Sequence, residues 1–295
     1  MGCGSGLADP GVSVPTVTSE DLAETCRYNL VEQDPLGVQK GVLVIFERSD
    51  TAQLMEDDTV RSMAGALHFA ILWARECDAR STGDLQADAA KGPARTLRVA
   101  LELLAVKTGH PELTTVPLVL FGYSAGAVLS ATMEAVWPDR LAGVVMYAAG
   151  SEYLDLDRVA VTGGMAAIPM LVLANAEDQK SGTARSYRFF ERGRSVGANW
   201  AFGVQNNTDH CCSLSVRPIL LPWIQAIAQP TSGAAATPVN FACAPDGTRD
   251  AQGEMDCDFT GAGLGAGVTA EQTGWLPDAT STAAWLSWVT NSKTN

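Results

Sequence analysis

The fold is decided by PLVLFGYSAGAVLSATMEAV, residues 117–136. The apolar run 117–121 predicts a buried strand, and 125–136 has the apolar spacing of a helix. Between them, residues 122–126 match the pattern G-x-S-x-G, in which a sharp strand-to-helix turn lifts the serine above the sheet. Glycines two positions before and after the serine avoid a clash in this turn. We therefore predict Ser124 as a nucleophile at a helix N-terminus, where free N–H groups face developing negative charge.

The same pattern occurs a second time at residues 193–197, around Ser195. This copy follows a polar helical stretch, 181–192, and precedes a predicted strand, 198–204. That order is the reverse of a strand-to-helix turn. Sequence context therefore favours Ser124 over Ser195.

Around this core motif, short apolar runs alternate with longer helical stretches. Strands of nearly continuous apolar residues separated by helices indicate a mostly parallel sheet covered on both faces, a three-layer α/β sandwich. The predicted strands are 41–46, 67–74, 117–121, 142–149, 168–175 and 198–204, and the predicted helices are 57–66, 85–108, 125–136, 181–192 and 213–228.

The N-terminal and C-terminal parts of the chain lack the alternation of strands and helices that the middle shows. Residues 1–22 are rich in Gly, Pro and Ser and predict a flexible tether, and 23–295 predict a single domain. Within that domain, 230–274 has no clear period and is expected to be an irregular loop. A final helix, 278–289, carries Trp285 and Trp288 three residues apart, which indicates a packed face.

A serine nucleophile needs an adjacent base, and the chain has three histidines. His210 follows the last predicted strand, where the carboxyl ends of parallel strands gather catalytic groups. His68 lies inside a predicted strand. His110 lies in a turn before the nucleophile strand, at the opposite end of the sheet. We therefore predict His210 as the base.

A third residue should orient the imidazole, and its expected place along the chain is between the serine and the histidine. Strand 168–175 is followed by Ala-Glu-Asp, and Asp178 is our preferred acid. Four other carboxylates remain open as alternatives: Glu177, then Asp155 and Asp157 after the preceding strand, and Asp209, which is too near His210 in sequence to orient it easily.

The oxyanion of an acyl-transfer intermediate needs two backbone donors. One should be the N–H of Ala125, directly after the nucleophile. The other should come from the loop that leaves strand 41–46, at Glu47 or Arg48. The Arg48 side chain has two open roles, contact with substrate or simple solvation.

Aromatic residues near strand ends are candidates for a substrate pocket. Tyr123 is the strongest of them, because the turn places it beside the nucleophile. Phe46 and Trp73 also end apolar runs, although core packing explains both of them more simply.

Composition limits the partners of this protein. The formal net charge is −13 with a pI near 4.6, so the surface repels phosphate backbones and nucleic acid is excluded as an expected partner. The sequence contains no run of 18 apolar residues that would span a bilayer. We expect a monomer.

The seven cysteines show no spacing typical of a zinc site, so we predict disulfides and no metal. Disulfides imply an oxidising compartment. Cys243 and Cys257 flank a polar loop and are a candidate pair. Cys3 follows a small residue at the start of the tether, as at the mature end of a bacterial lipoprotein, and an accidental tail cysteine is the alternative. We therefore expect a secreted or envelope-bound protein.

With these residues in place, the chain resembles the α/β-hydrolase superfamily, and within it bacterial ester hydrolases of the feruloyl-esterase and polyhydroxyalkanoate-depolymerase kind. The resemblance runs from GVLVIFERSD (41–50) to NNTDHCC (206–212) and includes WLPDATSTAAWLSW (275–288). It implies carboxylic-ester hydrolysis through an acyl-enzyme, without a metal or organic cofactor. Two departures are the Glu-Arg-Ser loop at 47–49 and the long segment 243–274.

Three other functions remain open on the sequence. An amidase or peptidase would use the same three residues, and a depolymerase of polyesters or polysaccharide esters would suit an exported, tethered protein. A binding module on a hydrolase scaffold is the non-enzyme alternative. It would be expected to have an incomplete set of catalytic residues.

Overall fold

The main sheet contains eight strands among the residues that the computed structural model describes, which are 12–17, 26–46, 51–75, 88–149, 156–229, 237–243, 257–262 and 269–291. The strands are β1 Val12–Val17, β2 Cys26–Val31, β3 Gly41–Phe46, β4 Phe69–Arg75, β5 Leu118–Tyr123, β6 Leu141–Tyr147, β7 Met170–Asn175 and β8 Trp200–Gln205. Their spatial order is β1-β2-β4-β3-β5-β6-β7-β8. All neighbouring pairs from β4 to β8 in this order are parallel, and β1 and β2 are antiparallel additions at one edge.

Helices cover both faces of this sheet. Every residue of β3, β5 and β7 is buried, and successive side chains of a strand point to opposite faces, so neither face is open to solvent. The predicted three-layer arrangement is therefore confirmed. The helices are α1 Ala52–Glu56, α2 Asp58–Leu67, α3 Pro93–Thr108, α4 Ala125–Val136, α5 Gly163–Ala166, α6 Ala184–Ser195, α7 Arg217–Ala228 and α8 Ala279–Asn291.

The prediction of a flexible tether over 1–22 is wrong for residues 12–17. These residues form β1, which pairs antiparallel with β2, another strand that the sequence did not indicate. Pro15 lies inside β1 and disguises the alternation of valines around it. A proline is tolerated here because β1 is the edge strand of the sheet.

The start of β4 and the extent of the predicted helix 85–108 also differ from prediction. His68, expected inside a strand, is the left-handed C-cap of α2 with a φ of 55°, and β4 begins only at Phe69. The predicted helix 85–108 is divided at Gly92, whose φ is 128°. A short 3₁₀ turn, Ala89–Lys91, precedes this glycine and α3 follows it.

The segment 230–274, predicted as an irregular loop, contains a small antiparallel sheet. Its strands are β9 Thr237–Cys243, β10 Cys257–Ala262 and β11 Thr273–Leu276, in the order β10-β9-β11. Glycines and a proline inside these short strands hide the period-2 pattern. The register places Cys243 directly opposite Cys257, which supports the predicted pairing of these two cysteines. The bridge itself stays a prediction.

Helix α8 packs on the domain through its tryptophans. Both are buried, and the indole N–H of Trp285 donates to the carbonyl of Phe202 over 2.9 Å. The indole of Trp288 donates over 2.9 Å to the carbonyl of Ser215. The prediction of a packed face is thereby confirmed. Within the described ranges, none of the helices has both the length and the apolar character that crossing a bilayer requires.

Candidate active site

The turn between β5 and α4 has the strained geometry that the G-x-S-x-G pattern predicts. Ser124 has φ 55° and ψ −123°, a conformation rare for a residue with a side chain. A Cβ on Gly122 would lie 2.0 Å from the carbonyl oxygen of Gly126, so only glycine fits there. The Ser124 N–H donates to the carbonyl of Tyr147 over 3.0 Å, which ties the turn to the neighbouring strand β6. This holds the hydroxyl at the carboxyl edge of the sheet.

Three predicted residues meet at that edge in a continuous hydrogen-bonded chain. His210 Nε2 lies 2.9 Å from Ser124 Oγ, and His210 Nδ1 lies 2.7 Å from Asp178 Oδ2. Asp178 is fully buried, whereas Ser124 retains 7% exposure. A serine that contacts one imidazole nitrogen, with a carboxylate on the other, has the geometry of a nucleophile, a general base and an orienting acid.

The carboxylate of Asp178 is fixed by its own loop. Its Oδ1 accepts hydrogen bonds from the N–H groups of Lys180 and Ser181, at 2.9 and 2.8 Å. This leaves Oδ2 directed at the imidazole. The Ser181 hydroxyl also lies 3.2 Å from His210 Nδ1 and donates to the carbonyl of Ala148. Ser181 is thus a third side chain within hydrogen-bond distance of the imidazole, after Ser124 and Asp178.

The other candidate acids lie elsewhere. Glu177 is exposed, and Asp157 forms an ion pair with Arg188 at 2.8 Å. Asp209 is exposed, and it is the main-chain carbonyl of this residue that accepts a hydrogen bond from Asn175 beside the site. Asp155 lies outside the described residues. Among the described alternatives, none replaces Asp178 at the imidazole.

Ser195 and His110 lie where the sequence indicated, whereas His68 does not. Ser195 ends α6, is exposed and donates its hydroxyl to the carbonyl of Arg192. His110 is buried at the opposite end of the sheet, between Glu112 and the carbonyl of Pro35. His68 caps α2.

One predicted oxyanion donor is in position. Ala125 is the first residue of α4, and the N–H groups of a helix's first turn have no intrahelical acceptor. They also carry the positive end of the helix dipole, which favours an anion beside Ser124. Glu47 and Arg48, the predicted sources of the second donor, lie outside the described residues.

The predicted substrate contacts are not confirmed, and Tyr123 needs a correction. Its side chain is 1% exposed, and its hydroxyl donates to the carbonyl of His210 over 2.8 Å. The residue directly before the nucleophile is the last residue of β5 and points into the protein. Tyr123 therefore holds the main chain of the base in place and does not line a pocket. Phe46 and Trp73 are 2% and 4% exposed and belong to the core.

Sequence reasoning missed three polar residues beneath the base. Besides Ser181, these are Tyr147 at the end of β6 and Asn175 at the end of β7, and both are fully buried. Asn175 donates over 2.6 Å to the carbonyl of Asp209, and Tyr147 donates over 2.8 Å to the carbonyl of Cys211. The sequence carried a signal for Tyr147 and Asn175, because each is a polar residue that ends an otherwise apolar strand at the catalytic edge.

No protein-family model matches this chain, and no curated protein does. Among solved structures, a ferulic acid esterase is similar with a TM-score of 0.53 at 13% identity, over 75% of this chain and 100% of that one. An acetyl xylan esterase from Aspergillus awamori gives a TM-score of 0.47 at 13% identity, over 68% of this chain and 94% of that one. A lidless α/β serine hydrolase from Xanthomonas campestris gives 0.43 at 17% identity, over 69% and 87%.

At these identities the likeness concerns the fold. Together with the strand order and the turn at Ser124, it defines the class: the chain has the α/β-hydrolase fold, as predicted.

Proposed function

We propose that this protein hydrolyses carboxylic esters through an acyl-enzyme formed on Ser124. The observation that carries the proposal is the hydrogen-bonded chain from Ser124 Oγ through His210 to the buried carboxylate of Asp178. A non-catalytic binding module would have no need of this arrangement at a strained serine. The same geometry favours hydrolysis over the alternative of a binding module on a hydrolase scaffold.

In the proposed reaction, His210 Nε2 takes the proton of Ser124 as its oxygen attacks the ester carbonyl. The Ala125 N–H donates to the oxyanion of the tetrahedral intermediate. His210 then gives the proton to the departing alcohol, which leaves an acyl group on Ser124. Water, deprotonated by the same imidazole, releases the acid and restores the serine. The carboxylate of Asp178 orients the imidazole through Nδ1 and stabilises the imidazolium that forms.

We further propose that the protein works in an oxidising compartment, as a secreted or envelope-bound enzyme. Support comes from the disulfide between Cys211 and Cys212 and from a second disulfide that involves Cys26. Disulfides persist in such compartments and are rare in reducing ones. The lipid anchor at Cys3, which lies outside the described residues, and the monomeric state stay predictions.

The test is turnover of p-nitrophenyl esters from acetate to dodecanoate by the wild type, Ser124→Ala and Ser195→Ala. We expect wild-type activity and a loss on the order of 10⁴-fold in Ser124→Ala. Ser195→Ala is the matched control, because it sits in the same G-x-S-x-G pattern, and it should keep full activity. Activity that survives Ser124→Ala would contradict the nucleophile assignment.

Matched aryl esters and anilides separate esterase from amidase action. Because both bonds would use the same residues, only the ratio of their turnover distinguishes the two functions. We expect the ester to be cleaved faster by several orders of magnitude. Comparable cleavage of the anilide would favour the amidase alternative.

A further inference from the structure

The loop that carries His210 is held by its main chain. Three successive carbonyl groups each accept a hydrogen bond from a buried side chain at the carboxyl end of a different parallel strand. The pairs are Asn175 from β7 to the carbonyl of residue 209, Tyr123 from β5 to residue 210 and Tyr147 from β6 to residue 211, at 2.6, 2.8 and 2.8 Å. These contacts fix the position of the imidazole relative to Ser124.

The last of these carbonyls is that of Cys211, a residue that takes part in an unusual disulfide. Cys211 and Cys212 are bonded to each other although they are adjacent in the chain, and they follow His210 directly. Cys211 is half-buried, and Cys212 is exposed. Cys212 has φ 72° and ψ 53°, a left-handed conformation that a residue with a side chain rarely adopts. Its carbonyl accepts the N–H of Ser215 and begins the 3₁₀ turn that leads to α7.

Such a bridge is poorly suited to stabilising the whole fold. In the chain-entropy account, a disulfide stabilises by closing a loop in the unfolded chain, and its effect grows with loop length. A bridge between neighbours closes the shortest loop there is. What it does restrict is the backbone of two residues, because their side chains are joined in one small ring.

We propose that the Cys211–Cys212 disulfide is a positioning element for catalysis. By restricting the backbone at 211 and 212, it keeps the Cys211 carbonyl on the hydroxyl of Tyr147 and so holds His210 at hydrogen-bond distance from Ser124. The inference rests on the proposed function, since it acts through the base of that reaction. Both cysteines are positioning residues, and neither takes part in proton transfer.

The test compares the wild type with the double variant Cys211→Ser/Cys212→Ser. We expect kcat to fall on the order of tenfold, since small displacements of a catalytic group are costly. KM should change less than about twofold, because ground-state binding is untouched. The melting temperature should stay within about 2 °C of the wild type, as expected for so short a loop. The pH profile of kcat/KM should also shift, because it reports the base of the free enzyme.

Reduction gives an independent readout on the unaltered chain. Dithiothreitol breaks the S–S bond by supplying two electrons and two protons, which leaves two thiols and oxidised, cyclic dithiothreitol. Wild-type kcat should fall to the level of the double variant. The double variant is the matched control and should be insensitive, even though it retains the disulfide that involves Cys26. An equal loss in both proteins would assign the effect to other disulfides and overturn the proposal.

Tyr147→Phe tests the route of the effect. This variant removes the 2.8 Å donor to the Cys211 carbonyl and leaves the longer contact of 3.5 Å from Asn175 Nδ2, so its loss of kcat should not add to that of the double variant. Fully additive losses would overturn the route through this carbonyl. A parallel fall in kcat and melting temperature would indicate a general structural role and also count against positioning.

Two failures can be told apart. If the wild type cleaves esters and the double variant keeps its kcat and its pH profile, the positioning proposal is wrong and the esterase proposal stands. If the wild type cleaves no ester, the esterase proposal fails. In that case the rate at which a fluorophosphonate labels Ser124 still reports whether removing the disulfide weakens the nucleophile.

Discussion

The hydroxyl of Tyr123, the residue directly before the nucleophile, donates a 2.8 Å hydrogen bond to the main-chain carbonyl of His210, the base. Their rings also lie against each other, with centroids 5.0 Å apart. One strand end therefore carries the nucleophile on one side and a support for the base on the other. Two adjacent residues therefore contact His210: Tyr123, which ends β5, and Ser124, which begins the turn into α4.

Tyr123→Phe should therefore lower kcat on the order of tenfold with little change in KM, because the base loses its support while the ester keeps its contacts. Steady-state kinetics on a p-nitrophenyl ester measure this. Tyr187→Phe is the matched control, since Tyr187 is equally buried but packs on Phe202 beneath α6. Equal effects of the two substitutions would contradict a specific role for Tyr123.

Asp178→Asn should reduce kcat by about 10⁴-fold, because the amide no longer selects the imidazole tautomer that can accept the serine proton. Glu177→Gln, one residue earlier and exposed, should leave kcat unchanged. Kinetics of both variants, with circular dichroism to confirm folding, check this prediction. A large effect of Glu177→Gln would reverse the assignment of the acid.

Gly122→Ala should destabilise the protein by about 3 kcal/mol, because the new methyl group would overlap the backbone of Gly126 and the hydroxyl of Ser130. Gly163→Ala is the control: a Cβ there meets no atom within 4 Å, so stability should stay equal or rise by up to about 1 kcal/mol. Urea denaturation measures both. Near-wild-type stability of Gly122→Ala would contradict the packing argument.

His110 should make stability depend on pH. Burial alone would lower its pKa, but hydrogen bonds with Glu112 and the Pro35 carbonyl, together with the charges of Glu32 and Glu112, raise it above 6.5. A raised pKa means that the folded state binds the proton more tightly than the unfolded chain does. This contribution is complete below pH 6.5 and is lost as the pH rises through the folded-state value.

The measurement is the difference in urea midpoint between the wild type and His110→Gln from pH 6 to pH 9. The advantage of the wild type should shrink as pH increases. The pKa of Glu112 is lowered, so its contribution to stability is lost only in acid. The pH range of that loss is therefore separate from the range in which the contribution of His110 is lost. A difference that does not vary over this range would show that His110 carries no proton-linked stability.

Most of the sheet and the identity of the nucleophile follow from local sequence. The apolar runs of β3, β5 and β7 are buried on both faces, so their composition alone marks them. β1 escaped prediction because Pro15 is acceptable only at a sheet edge, and sequence does not reveal which strand is the edge. The strands within 237–276 escaped because their pattern is short and interrupted.

The sequence by itself determined Ser124, because its turn depends on the sterics of its immediate neighbours, above all Gly122. Only the tertiary structure decided between Glu177 and Asp178, since adjacent side chains after a strand diverge and one of them alone is buried at the imidazole. It also decided that Tyr123 supports His210. This contact joins two residues that are 87 positions apart in the chain. It exists only because the strand order brings the carboxyl ends of the strands together.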